Sequence, residues 1–309
     1  MHGGNMENPD REIIKQLESA GFCAAFLPYH VMEQIKNHYN ELEQKNSGAQ
    51  NVKNAVKHFL SNQPPDIPFE PKSLLITAYP ADPAQIIFKT EGKSTAVVIP
   101  PTYLSDEAGR KKFDSIMETA AAGFKTAHPK GISQKLLAVL GGLGRYGRNN
   151  IFYSGKFGSY CGLSAFYTDI PCDDVSFPLR FLDECESCSL CLNNCPTGAI
   201  GKNAAINSAK CLTMYNENKN PMPDWIPANA HHTLVGCLRC QETCPANKPL
   251  SQNNMYTLQL DEAQTKDLLA CETPTPELAE KLKQFGLHDY FIAVICRNAG
   301  LALRGQQFL

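Results

Sequence analysis

Apolar positions fall into helical and alternating rhythms that divide the chain into short elements. Between Asp10 and Ala20 (DREIIKQLESA), Ile13, Ile14 and Leu17 share one helical face, with Asp10 as the expected N-cap and Gly21 as the stop. Helical spacing returns at about 30–45 and 51–62, and the four prolines of Gln63–Pro71 mark a loop. Ser73–Tyr79 (SLLITAY), Gln85–Phe88 and Thr95–Ile99 are short runs rich in branched residues and predict strands. Helices are expected at Ser105–Ala121 and Ser133–Leu140, then strands at Asn150–Tyr153 and Cys161–Tyr167. Three more helical patterns close the chain, at Asp261–Cys271, Pro276–Phe285 and Tyr290–Leu303. Such a mixture predicts an α+β fold. The longest strongly apolar runs, Phe22–Pro28 and Phe291–Cys296, are far shorter than the roughly 20 residues that span a bilayer.

Composition narrows the class. With 309 residues the prior is about two domains. Apolar residues at 43%, charged residues at 19% and a formal charge of −2 exclude a disordered chain and a basic nucleic-acid coat. The opening MHGGNMENPDREII has neither an apolar leader core nor a twin-arginine signal, so a cytoplasmic protein without membrane or DNA partners is expected. Cysteine is the unusual residue: there are 13, eight of them between Cys185 and Cys244.

The segment CESCSLCLNNCP places Cys185, Cys188, Cys191 and Cys195 in the spacing C-x2-C-x2-C-x3-C-P, which is that of bacterial cluster-binding ferredoxins. A second run, CLRCQETCP, holds Cys237, Cys240 and Cys244, and Cys211 supplies the missing cysteine from 26 positions upstream. Each iron of a [4Fe–4S] cube needs one soft thiolate, and in two-cluster ferredoxins the fourth cysteine of a run ligates the other cluster. The expected sets are therefore Cys185, Cys188, Cys191 and Cys244 for one cluster, and Cys195, Cys211, Cys237 and Cys240 for the other. Pro196 and Pro245 end the two loops. Zinc is the competing reading, since it also accepts four thiolates. Cys23, Cys161, Cys172, Cys271 and Cys296 stand singly and read as small buried apolar groups.

Gly142, Gly144 and Gly147 satisfy G-x-G-x-x-G by letter, but a helical pattern precedes them and a strand pattern follows. That is the reverse of the nucleotide-binding order. With Gly155 and Gly158 close behind, the glycines imply backbone lying against something flat or bulky.

Together these segments resemble the epoxyqueuosine reductase family, cobalamin-dependent iron–sulfur enzymes related more distantly to reductive dehalogenases. GGLGRYGRNNIFYSGKFGSYCGLSAFYTDIP (141–171) resembles the family's cobalamin-contacting stretch. ECESCSLCLNNCPTGAI, AKCLTMYNE and VGCLRCQETCPANK resemble its two cluster runs and isolated cysteine. The resemblance implies a nitroreductase-like cobalamin-binding α/β domain (1–175), a ferredoxin-like double-cluster domain (176–256) and a short helical tail (257–309). It also implies cobalamin contacts at Gly142, Gly144, Arg145, Tyr146, Gly147, Arg148, Asn149, Gly158 and Ser159. The family's proton-donating aspartate is absent from Ala127–Gly131, where His128 is the candidate replacement. Tyr103, in IPPTYLSDEAGRKK, is the other candidate donor. Trp225, His231 and His232 are expected to pack around the second cluster, and Met214 and Tyr215 to shield a cluster from water. No long basic stripe is present, which argues against tRNA and for a small-molecule or corrinoid substrate, with electrons from a ferredoxin- or flavodoxin-type donor. The alternatives are a ferredoxin-type carrier without catalysis of its own, or an epoxyqueuosine reductase with a substituted proton donor.

Overall fold

A computed structural model describes residues 8–45, 50–201, 206–247, 255–270 and 273–305; Cys271 lies outside them. The chain opens with α1 (Pro9–Ser19), β1 (Cys23–Pro28), α2 (Val31–Lys45) and α3 (Gln50–Leu60). It continues through β2 (Ser73–Pro80), β3 (Ala84–Thr90), β4 (Lys93–Ile99), α4 (Glu107–Ala120), β5 (Thr126–Ala127) and α5 (Gln134–Leu140). The glycine segment forms β6 (Gly144–Tyr146) and β7 (Phe152–Ser154), followed by β8 (Cys161–Thr168). In the cysteine-rich region the described residues form short helices, α6 (Leu190–Asn193), α7 (Leu212–Asn216) and α8 (Arg239–Glu242). Then come β9 (Tyr256–Gln259), α9 (Glu262–Ala270), α10 (Pro276–Gln284) and α11 (Asp289–Gly305).

The first sheet has the antiparallel order β1-β2-β8-β5. Its central strand β2 is apolar without alternation because both faces are covered. Leu74, Ile76 and Ala78 pack with α2, α3 and α5, while Leu75 turns to Ile13 and Leu17 of α1. Asn8, not Asp10, occupies the N-cap of α1: Pro9 fits the first helical position, which moves Asp10 into a buried place in the first turn. Gly21 ends the helix as expected, in the left-handed region at φ +99°.

A second sheet, β4-β3-β9, pairs β3 with β4 antiparallel and with β9 in parallel. Ile86, Phe88, Val97 and Ile99 share one core with Leu268, Leu282, Ile292 and Ile295 of the C-terminal helices. The end of the chain is thus bound to strands from its first third. No helix among the described residues is long and apolar enough to cross a membrane.

Candidate functional site

The hairpin β6–β7 organises the first group of cysteines. Tyr146 N–H donates to Arg180 O at 2.9 Å and Leu182 N–H to Tyr146 O at 2.9 Å, which lays the approach to Cys185 alongside β6. Arg148 N–H reaches Cys185 Sγ at 3.4 Å, and its guanidinium donates to the carbonyls of Cys185 and Glu186. Arg145 pairs with Asp183. Cys185, Cys188, Cys191 and Cys244 surround one small hollow together with Gly147, Arg148, Asn149 and Tyr153. Burial, reinforced by the neighbouring Cys185 and Cys244, raises the Cys191 thiol.

Cys195, Cys211, Cys237 and Cys240 gather on the wall of a second space. Cys211 caps α7, Cys240 lies on α8, and Asn194 Nδ2 ties the two runs together by donating to Arg239 O at 2.7 Å. Burial pushes Cys237 up strongly and Cys240 up to about 12. Ala199 N–H donates to Cys195 Sγ at 3.3 Å, a contact of the kind that sets cluster potential. All eight thiols are free of disulfides.

The second group of thiols forms one end of a cavity of about 880 Å³. Its opposite wall comes from the α/β part of the chain: Tyr79, Pro100–Tyr103, Ser133–Lys135, Asn149–Phe152 and Ser159–Leu163 with Tyr160 excepted. Of the residues expected to touch a cofactor, Asn149 and Ser159 line this cavity. Gly142, Gly144, Arg145, Tyr146, Gly147, Arg148 and Gly158 do not. The bulky body approached by these glycines is the protein itself. A Cβ on Gly142 would sit 2.6 Å from the Phe177 ring, one on Gly144 2.1 Å from Tyr153 O, and one on Gly158 2.5 Å from Asn247 Oδ1. Tyr146 is packed into the main core, where burial raises its phenol to about 12.

The two candidate donors diverge. His128 packs against Phe166 with ring centres 4.5 Å apart and is absent from the cavity wall. Tyr103 is in the wall, but its hydroxyl donates to Glu217, and Gly236 leaves the space that its ring fills. Burial raises both groups, and Tyr103's donation holds the Glu217 carboxyl back. Sequence reasoning missed Lys135. An amphipathic pattern gives no sign that this polar position of α5 faces an interior space.

His231 and His232 are buried, whereas Met214, expected as a shield, and Trp225, expected to pack, are about half exposed, at 51% and 50%. His232 Nδ1 faces Ala230 O at 2.9 Å, and Nε2 accepts from Leu238 N–H at 3.2 Å, fixing the backbone beside Cys237. Desolvation lowers His232 to about 4. The unfolded chain therefore binds the proton first, and this contribution to stability is complete above about pH 6.5 and lost as pH falls towards 4. We expect acid unfolding over that window to weaken by about 3 kcal/mol in His232→Gln, measured as the pH dependence of the denaturation midpoint. An unchanged acid limb would remove His232 as its source.

Comparison with known proteins adds the following. Residues 184–247 match the 4Fe-4S double cluster binding domain. The epoxyqueuosine reductase of Staphylococcus aureus is 34% identical over 120 residues, 39% of this chain and 31% of that protein. That of Bacillus subtilis is 34% identical over 118 residues, 38% of this chain and 30% of that protein. The matched stretch thus spans about a third of these relatives' length. Among solved structures, an epoxyqueuosine reductase with an epoxyqueuosine-modified tyrosine tRNA stem loop superposes with a TM-score of 0.63 at 21% identity, covering 95% of this chain and 80% of the other. The Streptococcus thermophilus enzyme superposes at 0.60 with 18% identity, covering 97% and 80%. The chain carries a double [4Fe–4S] cluster binding domain, its mixed α and β fold is that of these structures, and its resemblance to the epoxyqueuosine reductases stands. The expectation that tRNA is excluded is overturned, because a protein of this fold is seen with a tRNA stem loop. A missing basic stripe does not exclude RNA, because the bases of a loop are recognised by being splayed out, stacked and hydrogen-bonded on their edges.

Proposed function

We propose that the protein is an iron–sulfur reductase acting on a modified nucleoside of tRNA, with cobalamin held in the 880 Å³ cavity. The observation that carries the reading is that this cavity joins the second thiol group directly to the α/β wall. A carrier that only passed electrons on would have no use for such a space. In this reading Cys185, Cys188, Cys191 and Cys244 hold one [4Fe–4S] cluster, and Cys195, Cys211, Cys237 and Cys240 hold the other. The wall fits a corrin with amide arms. Gln134, Asn150 and Gln241 offer amides, Thr102 and Ser133 offer hydroxyls, and Tyr79, Phe152 and Leu163 offer apolar surface. Cobalamin bound there supplies a strongly reducing cobalt for the bond-breaking step.

The chain's own residues do the rest. Half-exposed Leu190, next to Cys191, marks the side on which the first cluster takes electrons singly from an external low-potential donor. The two groups of thiols are neighbours, because Asn149 lines the hollow of each. Asn149 links the two, with Nδ2 donating to Tyr153 Oη at 2.9 Å beside the first group and to Cys240 O at 3.3 Å in the second. Ser159 fixes the cavity's floor to the cluster loop through Gln241 Oε1 at 2.9 Å.

Anaerobic protein from cells grown with cobalamin is expected to hold about eight irons and about one cobalt per chain. With dithionite it should remove the epoxide oxygen from epoxyqueuosine-containing tRNA, read by mass spectrometry of the nucleosides. Eight irons with no uptake of cobalamin and no turnover would return the protein to the class of electron carriers.

A further inference from the structure

The cavity contains no obvious acid. Neither an aspartate, a glutamate nor a histidine is among the described residues that line it. The titratable side chains there are Tyr79 on β2, Tyr103 after β4, Lys135 on α5, Cys161 on β8, Arg239 on α8 and the thiols of the second group. Four of these are spoken for as iron ligands in the reading above. Arginine does not release its proton in proteins. Tyr79 packs edge-on against Phe22, ring centres 6.1 Å apart, at the core around α1. Tyr103 is committed to Glu217, and Cys161 Sγ faces Gly158 O at 3.6 Å within the α/β wall.

Lys135 is different. An ammonium has three donors, and a single one is used: Nζ donates to Asn150 O at 2.9 Å. That carbonyl belongs to a residue held in the left-handed region at φ 58°, at the turn between β6 and β7. No salt bridge to Lys135 is found among the described residues, and no carboxylate shares its wall of the cavity. Two donors are left for whatever occupies the cavity.

We propose that Lys135 is the proton donor of the cavity, its ammonium protonating the oxygen that leaves the substrate. The proposal rests on the reductase reading. The epoxide takes up two electrons and two protons. Both C–O bonds break, the oxygen departs as water, and a carbon–carbon double bond remains. The electrons come one at a time from the external reductant through the clusters. One proton comes from Lys135 and the other from solvent, and the neutral amine then recovers its proton from solvent. Desolvation lowers the Lys135 pKa, which brings it closer to neutrality and makes the proton easier to give.

Two measurements test this on the full-length, cluster-loaded protein. In the first, lysines are reductively methylated with a carbon-13 label and titrated by NMR, the Lys135 signal being the one missing from Lys135→Met. It should titrate below the ordinary lysine value of about 10.4. Titration together with the surface lysines would overturn the proposal. In the second, turnover of epoxyqueuosine tRNA with dithionite and cobalamin is followed against pH. Wild-type turnover should fall as pH rises through the Lys135 pKa, since the ammonium is the active form. Lys135→Met and Lys135→Arg should both lose about 10²- to 10⁴-fold while keeping full iron content, because arginine retains the charge but not the transferable proton. Wild-type turnover with an unaltered rate in Lys135→Met sinks the role of Lys135 alone. Absence of turnover in the wild type sinks the substrate reading and this inference with it.

Discussion

Replacing Cys211 and Cys237 together with alanine is expected to remove one cluster and leave the other, lowering iron from about eight to about four per chain. The paired replacement matters, because three remaining thiolates can still hold a damaged cube whereas two cannot. Turnover should fall to background, since no electron then reaches the cavity wall that those thiols form. A second pair reads the wiring itself. Cys237 and Cys244 belong to one sequence run but to different spatial groups. Cys237→Ala with Cys244→Ala should therefore leave each cluster with three thiolates, and the paramagnetic signals of both reduced cubes should be altered together. If each run served its own cluster, this pair would spare one of them, leaving about four irons and one intact signal. That result would refute the interleaved assignment without touching the presence of two clusters.

The cysteine pattern was legible because a cluster loop is local: its ligands recur within a few residues, and the spacing is the chemistry. Most helices and the long strands were legible for the same reason, as with SLLITAY, whose unbroken apolar run becomes the doubly covered β2. What escaped was set by distant neighbours. β9 is four residues long with no buried position, and it is a strand only because β3 offers an edge about 170 positions earlier. The segment Phe22–Pro28 stood out as an apolar run, yet its strand character comes from pairing with β2. Of the glycines expected to lie against something bulky, Gly142, Gly144 and Gly158 are crowded, by Phe177, Tyr153 and Asn247, whereas Gly155 has open space. Lys135 carried no signal at all. Its significance depends on a cavity whose other wall begins sixty residues later, at Cys195.

Gly144→Ala is expected to be among the most damaging single changes outside the cysteines, and the reason is backbone against backbone. Gly144 pairs with Ser154 in the β6–β7 hairpin, and an added methyl would stand 2.1 Å from Tyr153 O and 2.7 Å from the Phe152 ring. A flexible side chain could swing away, but a carbonyl within a strand cannot move without opening the pair. Phe152 is buried in the main core, so the ring has no room to retreat. We expect a loss of at least about 3 kcal/mol, seen as a melting temperature lower by roughly 10 °C. The injury should also reach the metal. β6 carries the hydrogen bonds that position residues 180–182, and Arg148 just beyond it meets Cys185 Sγ, so a splayed hairpin loosens the first cluster's loop. Iron retention after mild chelation should therefore drop in this variant, and the signal lost first should be that of the cluster held by Cys185, Cys188, Cys191 and Cys244. Gly155→Ala is the control: it lies just past β7 in the same segment, with no atom within 4 Å of the added carbon, and should melt with the wild type. Equal melting of Gly144→Ala and Gly155→Ala would mean that the glycine segment tolerates side chains. The hairpin would then not be the brace that ties the cluster loop to the α/β sheet.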